Sequence, residues 1–158
     1  MQGSEFSHIF ERFKHMKELY AGCYSSDNLP RAIKTNNFII INTSPSESAG
    51  KHWFCIYRPH RSKLEVFDSL GIDRDKKNFL INSCTFNGIT EIEWNKTIFQ
   101  SGHSISCGKY VLYFLFERLF NQDMSYKDLL DEIFVENIEK NEQKVEEFYS
   151  EFLTTHSS

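Results

Sequence analysis

The chain has 158 residues, 18 Lys+Arg against 22 Asp+Glu, and a formal net charge of −4. With 40% apolar residues, 15 Phe, 7 Tyr and 2 Trp, it can cover an aromatic core, which excludes a disordered chain and fits one compact domain. The acidic balance argues against a dedicated nucleic-acid binder, which carries a basic patch or stripe. Cys23, Cys55, Cys84 and Cys107 form no CxxC pair and no zinc-type spacing. A reduced, intracellular protein with no cofactor is therefore expected. No signal segment opens the chain, and the apolar run Val111–Phe116 is far below the ~20 residues of a membrane span, so a soluble protein is expected.

Residues 1–6 resemble a cloning-site remnant and are set outside the fold, leaving a single domain over 7–158. From Ser7 to Tyr20 the apolar positions Ile9, Phe10, Phe13, Met16, Leu19 and Tyr20 recur at helical steps, with Ser7 as a candidate cap. Gly22–Pro30 reads as loop. Phe38–Ile41, Trp53–Tyr57 and Leu64–Phe67 read as strands, separated by the turn-rich stretches around Ser44-Pro45-Ser46 with Gly50, and Pro59-His60-Arg61-Ser62. The second gap is short enough for a hairpin, which predicts antiparallel pairing. A short helix over Asp73–Leu80 and one or two strands within Ile89–Phe99 follow.

Gly102–Cys107 is a polar loop, and Gly108–Phe120 is apolar almost all round, the pattern of a helix buried in mid-domain. Ser125 with Asp128 resembles a capping box. Ile138, Val145, Phe148 and Phe152 predict a last amphipathic helix. The fold class expected is α+β, a central mixed or antiparallel sheet packed against a buried helix.

Cys107 stands where the polar loop meets that helix. A thiol at a helix N-terminus feels the positive end of the dipole and the unpaired N–H groups, which favour thiolate. His52 opens one hairpin strand and Asp68 closes the other, so antiparallel pairing brings carboxylate and imidazole together. A carboxylate behind a histidine fixes its tautomer and stabilises the imidazolium formed when a thiol loses its proton. Gln100 lies seven residues before Cys107, across a loop whose Gly102 suits a sharp return. Its amide and the Cys107 N–H would make two donors for an oxyanion. Taken singly, each residue has a structural alternative: a packing cysteine, surface His and Asp, an exposed Gln. Trp53 either covers the histidine or packs on the sheet. Cys55 alternates within a strand as a packing residue, while His103 lies near Cys107 with no carboxylate placed for it.

The ordered pattern His52-Trp53, Val66-Phe67-Asp68-Ser69-Leu70-Gly71 and Gln100-Ser101-Gly102-His103-Ser104-Ile105-Ser106-Cys107-Gly108 resembles the adenain-like and Ulp1-like clan of cysteine proteases. The seven-residue step and Ser106 before the cysteine are similar to adenain and its Maverick/Polinton and virophage relatives, whereas Asp68-Ser69-Leu70 is similar to the Ulp1 group. The resemblance implies His52 as general base, Asp68 as its orienting acid, Gln100 as oxyanion donor and Cys107 as nucleophile, with Trp53 and Gly102 lining the substrate site. It further implies a maturation endopeptidase whose partners are capsid or other structural precursors, working in the infected cell and packaged in the virion. Neither the activating peptide nor the DNA cofactor of adenain is expected: Cys84 is misplaced for the peptide's disulfide, and the charge does not favour DNA. A monomer without membrane contact is expected. The competing classes are a deubiquitinase or SUMO-type isopeptidase, and a non-catalytic capsid-associated module.

Overall fold

Phe38-Ile39-Ile40-Ile41 places apolar side chains on both faces of one extended segment, the signature of a strand covered on two sides. The computed structural model describes residues 3–42, 52–73, 75, 78, 88–102 and 106–156. In chain order it contains α1 (Gly3–Glu11), α2 (Lys14–Leu19), β1 (Tyr20–Ser25), β2 (Phe38–Asn42), β3 (Trp53–His60), β4 (Lys63–Phe67) and β5 (Glu91–Trp94). Three helices follow: α3 (Cys107–Phe120), α4 (Tyr126–Ile133) and α5 (Ile138–His156). The class is α+β. The five strands form one mixed sheet in sequential order, with β1 parallel to β2, β2 and β4 antiparallel to β3, and β5 parallel to β4.

Strand periodicity sorts the side chains into two cores. Phe38, Ile40, Trp53, Cys55, Tyr57 and Phe67 face the helices, whereas Ile39, Ile41, Phe54, Ile56, Leu64 and Val66 face the other layer. Helix α3 crosses the first face, with ten of its fourteen residues buried, as its all-round apolar pattern requires. α4 is capped by Ser125, whose hydroxyl accepts the Asp128 N–H at 3.1 Å. α5 buries Val145 and Phe152, and Phe152 stacks on Phe13 with ring centroids 4.5 Å apart.

Several expectations require correction. The periodicity of Ser7–Tyr20 spans two helices, with Tyr20 already in β1, and Ser7 lies inside α1 instead of capping it. Phe6, set outside the fold by the sequence reading, is fully buried and meets Trp53 edge to face at 5.2 Å. The loop expected from Gly22 begins inside β1, an edge strand whose six residues are all half-buried and so show no alternation. Its pairing with β2 shifts between Tyr20 and Cys23, around Gly22 at φ 118°. Within Ile89–Phe99 only Glu91–Trp94 is a strand. The turn-rich stretch 43–51, Cys84, His103 and most of the helix expected over Asp73–Leu80 lie outside the described residues.

The helix layer is tied to the sheet by a buried ion pair. Arg118 on α3 reaches Glu65 on β4 through two bonds, Nε to Oε1 and Nη2 to Oε2, each 2.8 Å. Its Nη1 donates to the carbonyls of Asn121 and Met124, closing the turn after α3. Such a pair adds little over an apolar replacement, yet removing one partner leaves a buried charge unmatched. Arg118→Leu is expected to cost about 3–5 kcal/mol in urea unfolding at pH 7. Adding Glu65→Leu should recover most of that loss; a single variant within about 1 kcal/mol of wild type would contradict the assignment.

Candidate active site

The pairing of Cys55 with Phe67 and Ile56 with Val66 brings the start of β3 and the end of β4 to the same end of the central hairpin. His52 precedes β3 and Asp68 follows β4, and there His52 Nε2 lies 2.5 Å from Asp68 Oδ1. Asp68 is fully buried, and its Oδ1 also accepts the Leu70 N–H at 2.9 Å. With Nε2 directed at the carboxylate, Nδ1 is the ring nitrogen left for the hydrogen bond that His52 makes with Cys107. Cys107 is the first residue of α3, and the backbone of Trp53 and Gly108 also hydrogen-bonds its sulfur. The hairpin and the buried helix therefore bring together three of the four side chains that the sequence singles out.

The electrostatics of the pair follow from this placement. Burial alone would push the His52 pKa down, but hydrogen bonds to Asp68 and Cys107 and their negative charge raise it to about 9. Burial pushes the Cys107 thiol up, and the His52 hydrogen bond, the backbone bonds and the imidazolium charge outweigh it, so the thiol is lowered. A raised histidine beside a lowered cysteine favours passage of the thiol proton to the ring. Cys55 and Cys23 are both raised by burial, Cys55 well above the ordinary value. Cys55 is a packing residue of the core.

Gln100 is buried, and its Oε1 accepts a hydrogen bond from Ser69 Oγ. The Ser69 carbonyl accepts the N–H groups of Phe99 at 2.8 Å and Gln100 at 3.1 Å. The residue beside Asp68 thus fixes the backbone at Gln100 and the oxygen half of its amide. Trp53 is buried, and its ring meets Phe6 edge to face. Gly102 needs no left-handed backbone, and a Cβ there would meet nothing within 4 Å. Gly71 is the constrained glycine: its φ is 80°, and a Cβ would come within 2.7 Å of the Lys96 carbonyl oxygen.

Asn95 was missed by sequence reasoning. It is buried at the end of β5, accepts the Asp68 N–H at 3.0 Å on Oδ1, and donates Nδ2 to the Asp68 carbonyl at 2.6 Å. Its one available signal was a polar residue closing a strand, the same signal that marked Asp68. Behind these residues lies an aromatic stack. Phe67 stacks on Phe114 at 4.5 Å and on Phe134 at 5.6 Å, and Phe99 stacks on Phe134 at 4.5 Å. Asp68 and Gln100 each follow one of these rings directly. Among the described residues, no group of three or more His, Cys, Asp or Glu could hold a metal ion, and no helix is long and apolar enough to cross a membrane.

No protein-family model and no curated protein sequence matches the chain. Among solved structures, an ASFV protease is similar at 22% identity and a TM-score of 0.38, covering 60% of this chain. The chain spans 38% of that protease's length. The central domain of an uncharacterized protein, Lpg1148, from Legionella pneumophila is similar at 16% identity and a TM-score of 0.40, covering 96% of this chain and 98% of that one. At these scores neither neighbour assigns an activity, which has to come from the chemistry of the site.

The lowered thiol predicts that iodoacetamide labels Cys107 at pH 7, with a rate that rises as pH passes through the Cys107 pKa. In His52→Ala the lowering bond and charge are gone while burial remains, so labelling at pH 7 should fall by about tenfold or more, one pKa unit being tenfold in thiolate. Equal rates in the two proteins would contradict the pairing.

Proposed function

We propose that the chain is a cysteine endopeptidase that hydrolyses peptide bonds through a thioester on Cys107. The observation that carries this reading is the imidazole of His52, bonded on one side to a buried carboxylate and on the other to a thiol of lowered pKa at a helix start. A surface histidine has no use for that arrangement, and a packing cysteine is raised by burial, as Cys55 is.

In the proposed reaction the Cys107 thiolate attacks the scissile carbonyl carbon, and the C=O electron pair moves to oxygen. The Gln100 side-chain amide and the Cys107 backbone N–H stabilise that oxyanion. As the tetrahedral intermediate collapses, the C–N bond breaks and His52 passes its proton to the leaving amine. Water then gives its proton to His52 and adds to the thioester. The C–S bond breaks, releasing the acid and restoring the pair. Asp68 stays ionised throughout and holds the ring. Trp53 and Gly102 are assigned to the rim of the substrate site.

For substrates we propose capsid or other structural precursors of a virus or mobile element, cut by a monomer without an obligatory peptide or DNA cofactor. The resemblance of the His-Trp, Asp-Ser-Leu and Gln-to-Cys segments to adenain-like enzymes supports this class, and the net charge of −4 speaks against DNA stimulation. Incubation with co-encoded capsid proteins, read by mass spectrometry, should give defined cleavage products with wild type and none with Cys107→Ala. Cleavage of a ubiquitin-type conjugate alone would move the substrate to a protein modifier, and identical product lists from both proteins would overturn the protease. The value of kcat/KM should be bell-shaped in pH. It rises as Cys107 ionises and falls near pH 9, where His52 loses the proton that the leaving amine requires. A plateau extending beyond pH 10 would contradict the role of His52.

A further inference from the structure

Gln100 and Cys107 are seven residues apart in sequence, and an oxyanion site made of both depends on how the chain on either side of each is held. Three of those four flanks are bound to one helix. Asn141 on α5, fully buried, donates Nδ2 to the carbonyl of Phe99, the residue before Gln100, at 3.2 Å. Glu142 Oε1 accepts the N–H of Ser101, the residue after Gln100, at 2.9 Å. One turn further on, Glu146 Oε1 accepts from Ser106 Oγ, immediately before Cys107, at 2.8 Å, while its carboxylate takes Lys109 Nζ at 2.8 and 3.0 Å. Asn141 is itself fixed by the N–H and carbonyl of Val135, both at 2.8 Å. Residues 142 and 146 are four apart on a helix, so their spacing is rigid at about 6 Å.

We infer that α5 is a brace for the oxyanion site, with Glu142 and Glu146 as positioning residues that set Gln100 relative to Cys107. The inference rests on the protease reading for its catalytic consequence but not for its structural one. A positioning role for Glu142 differs from nucleophile activation, in which His52 and the backbone of Trp53 and Gly108 lower the Cys107 thiol.

Glu142→Ala is therefore expected to lower kcat for a peptide substrate by about 10², the loss typical of one misplaced oxyanion donor, with KM little changed. Cys107 alkylation by iodoacetamide needs no oxyanion site and should stay within about twofold of wild type. Glu142→Gln keeps an acceptor oxygen for the Ser101 N–H and should restore kcat, and Glu146→Gln should likewise keep the Ser106 bond. Amide exchange of Ser101, which requires no substrate, should be about tenfold faster in Glu142→Ala and unchanged in Glu142→Gln. Unchanged exchange in Glu142→Ala overturns the brace, as does a parallel fall of alkylation and kcat. If exchange responds but wild type cleaves no peptide, the protease reading fails and the structural brace stands.

Discussion

The imidazole of His52 is held between a buried carboxylate and a thiol, and the rest of the architecture serves that contact. A carboxylate as deeply buried as Asp68 is costly unless it is bonded. Its Oδ1 meets the His52 ring and the Leu70 N–H, and Asn95 holds its backbone on both sides. The ring in turn lowers the Cys107 thiol, which burial alone would raise. Without the histidine between them the buried acid would lose a bonding partner and the sulfur the contact that lowers it.

The three residues come from segments far apart in sequence, so their convergence depends on packing. The antiparallel hairpin fixes His52 against Asp68, and the crossing of α3 over the helix-facing side of the sheet brings Cys107 to the same end of these strands. The stack of Phe67, Phe99, Phe114 and Phe134 joins the residues preceding Asp68 and Gln100 to the helix that begins at Cys107. Close-packed rings adjust poorly to displacement. The Glu65–Arg118 pair adds a directional tie between β4 and α3, and its two bonds restrict sliding of the helix along the strand.

What the sequence revealed and what it hid divide along physical lines. The central strands alternate or run apolar throughout, α3 is apolar on all sides, and a two-strand return places His52 beside Asp68 by counting alone; these signals are local. Edge strand β1 has six half-buried residues and no alternation, so Gly22, Ser25 and their neighbours read as loop. Phe6 carries no signal that separates a buried aromatic from a chance one. Asn95, Arg118, Asn141, Glu142 and Glu146 act across long sequence separations, 27 residues for Asn95 with Asp68 and 53 for Arg118 with Glu65. Their periodic positions say only that they are polar. Gln100 was legible as a candidate donor, but its anchoring by Ser69 was not.

The most direct test of the account is the protonation state of the His52 ring. Nitrogen chemical shifts of its two ring positions, followed from pH 5 to 11 in wild type and in Cys107→Ser, report the ring alone and need no substrate. The account predicts an imidazolium that persists through neutral pH and titrates near 9 in wild type, and a pKa displaced toward 6.5 once the thiolate is removed. A ring that titrates near 6.5 in both proteins would mean that His52 and Cys107 do not share charge, and the catalytic pair would be lost with it.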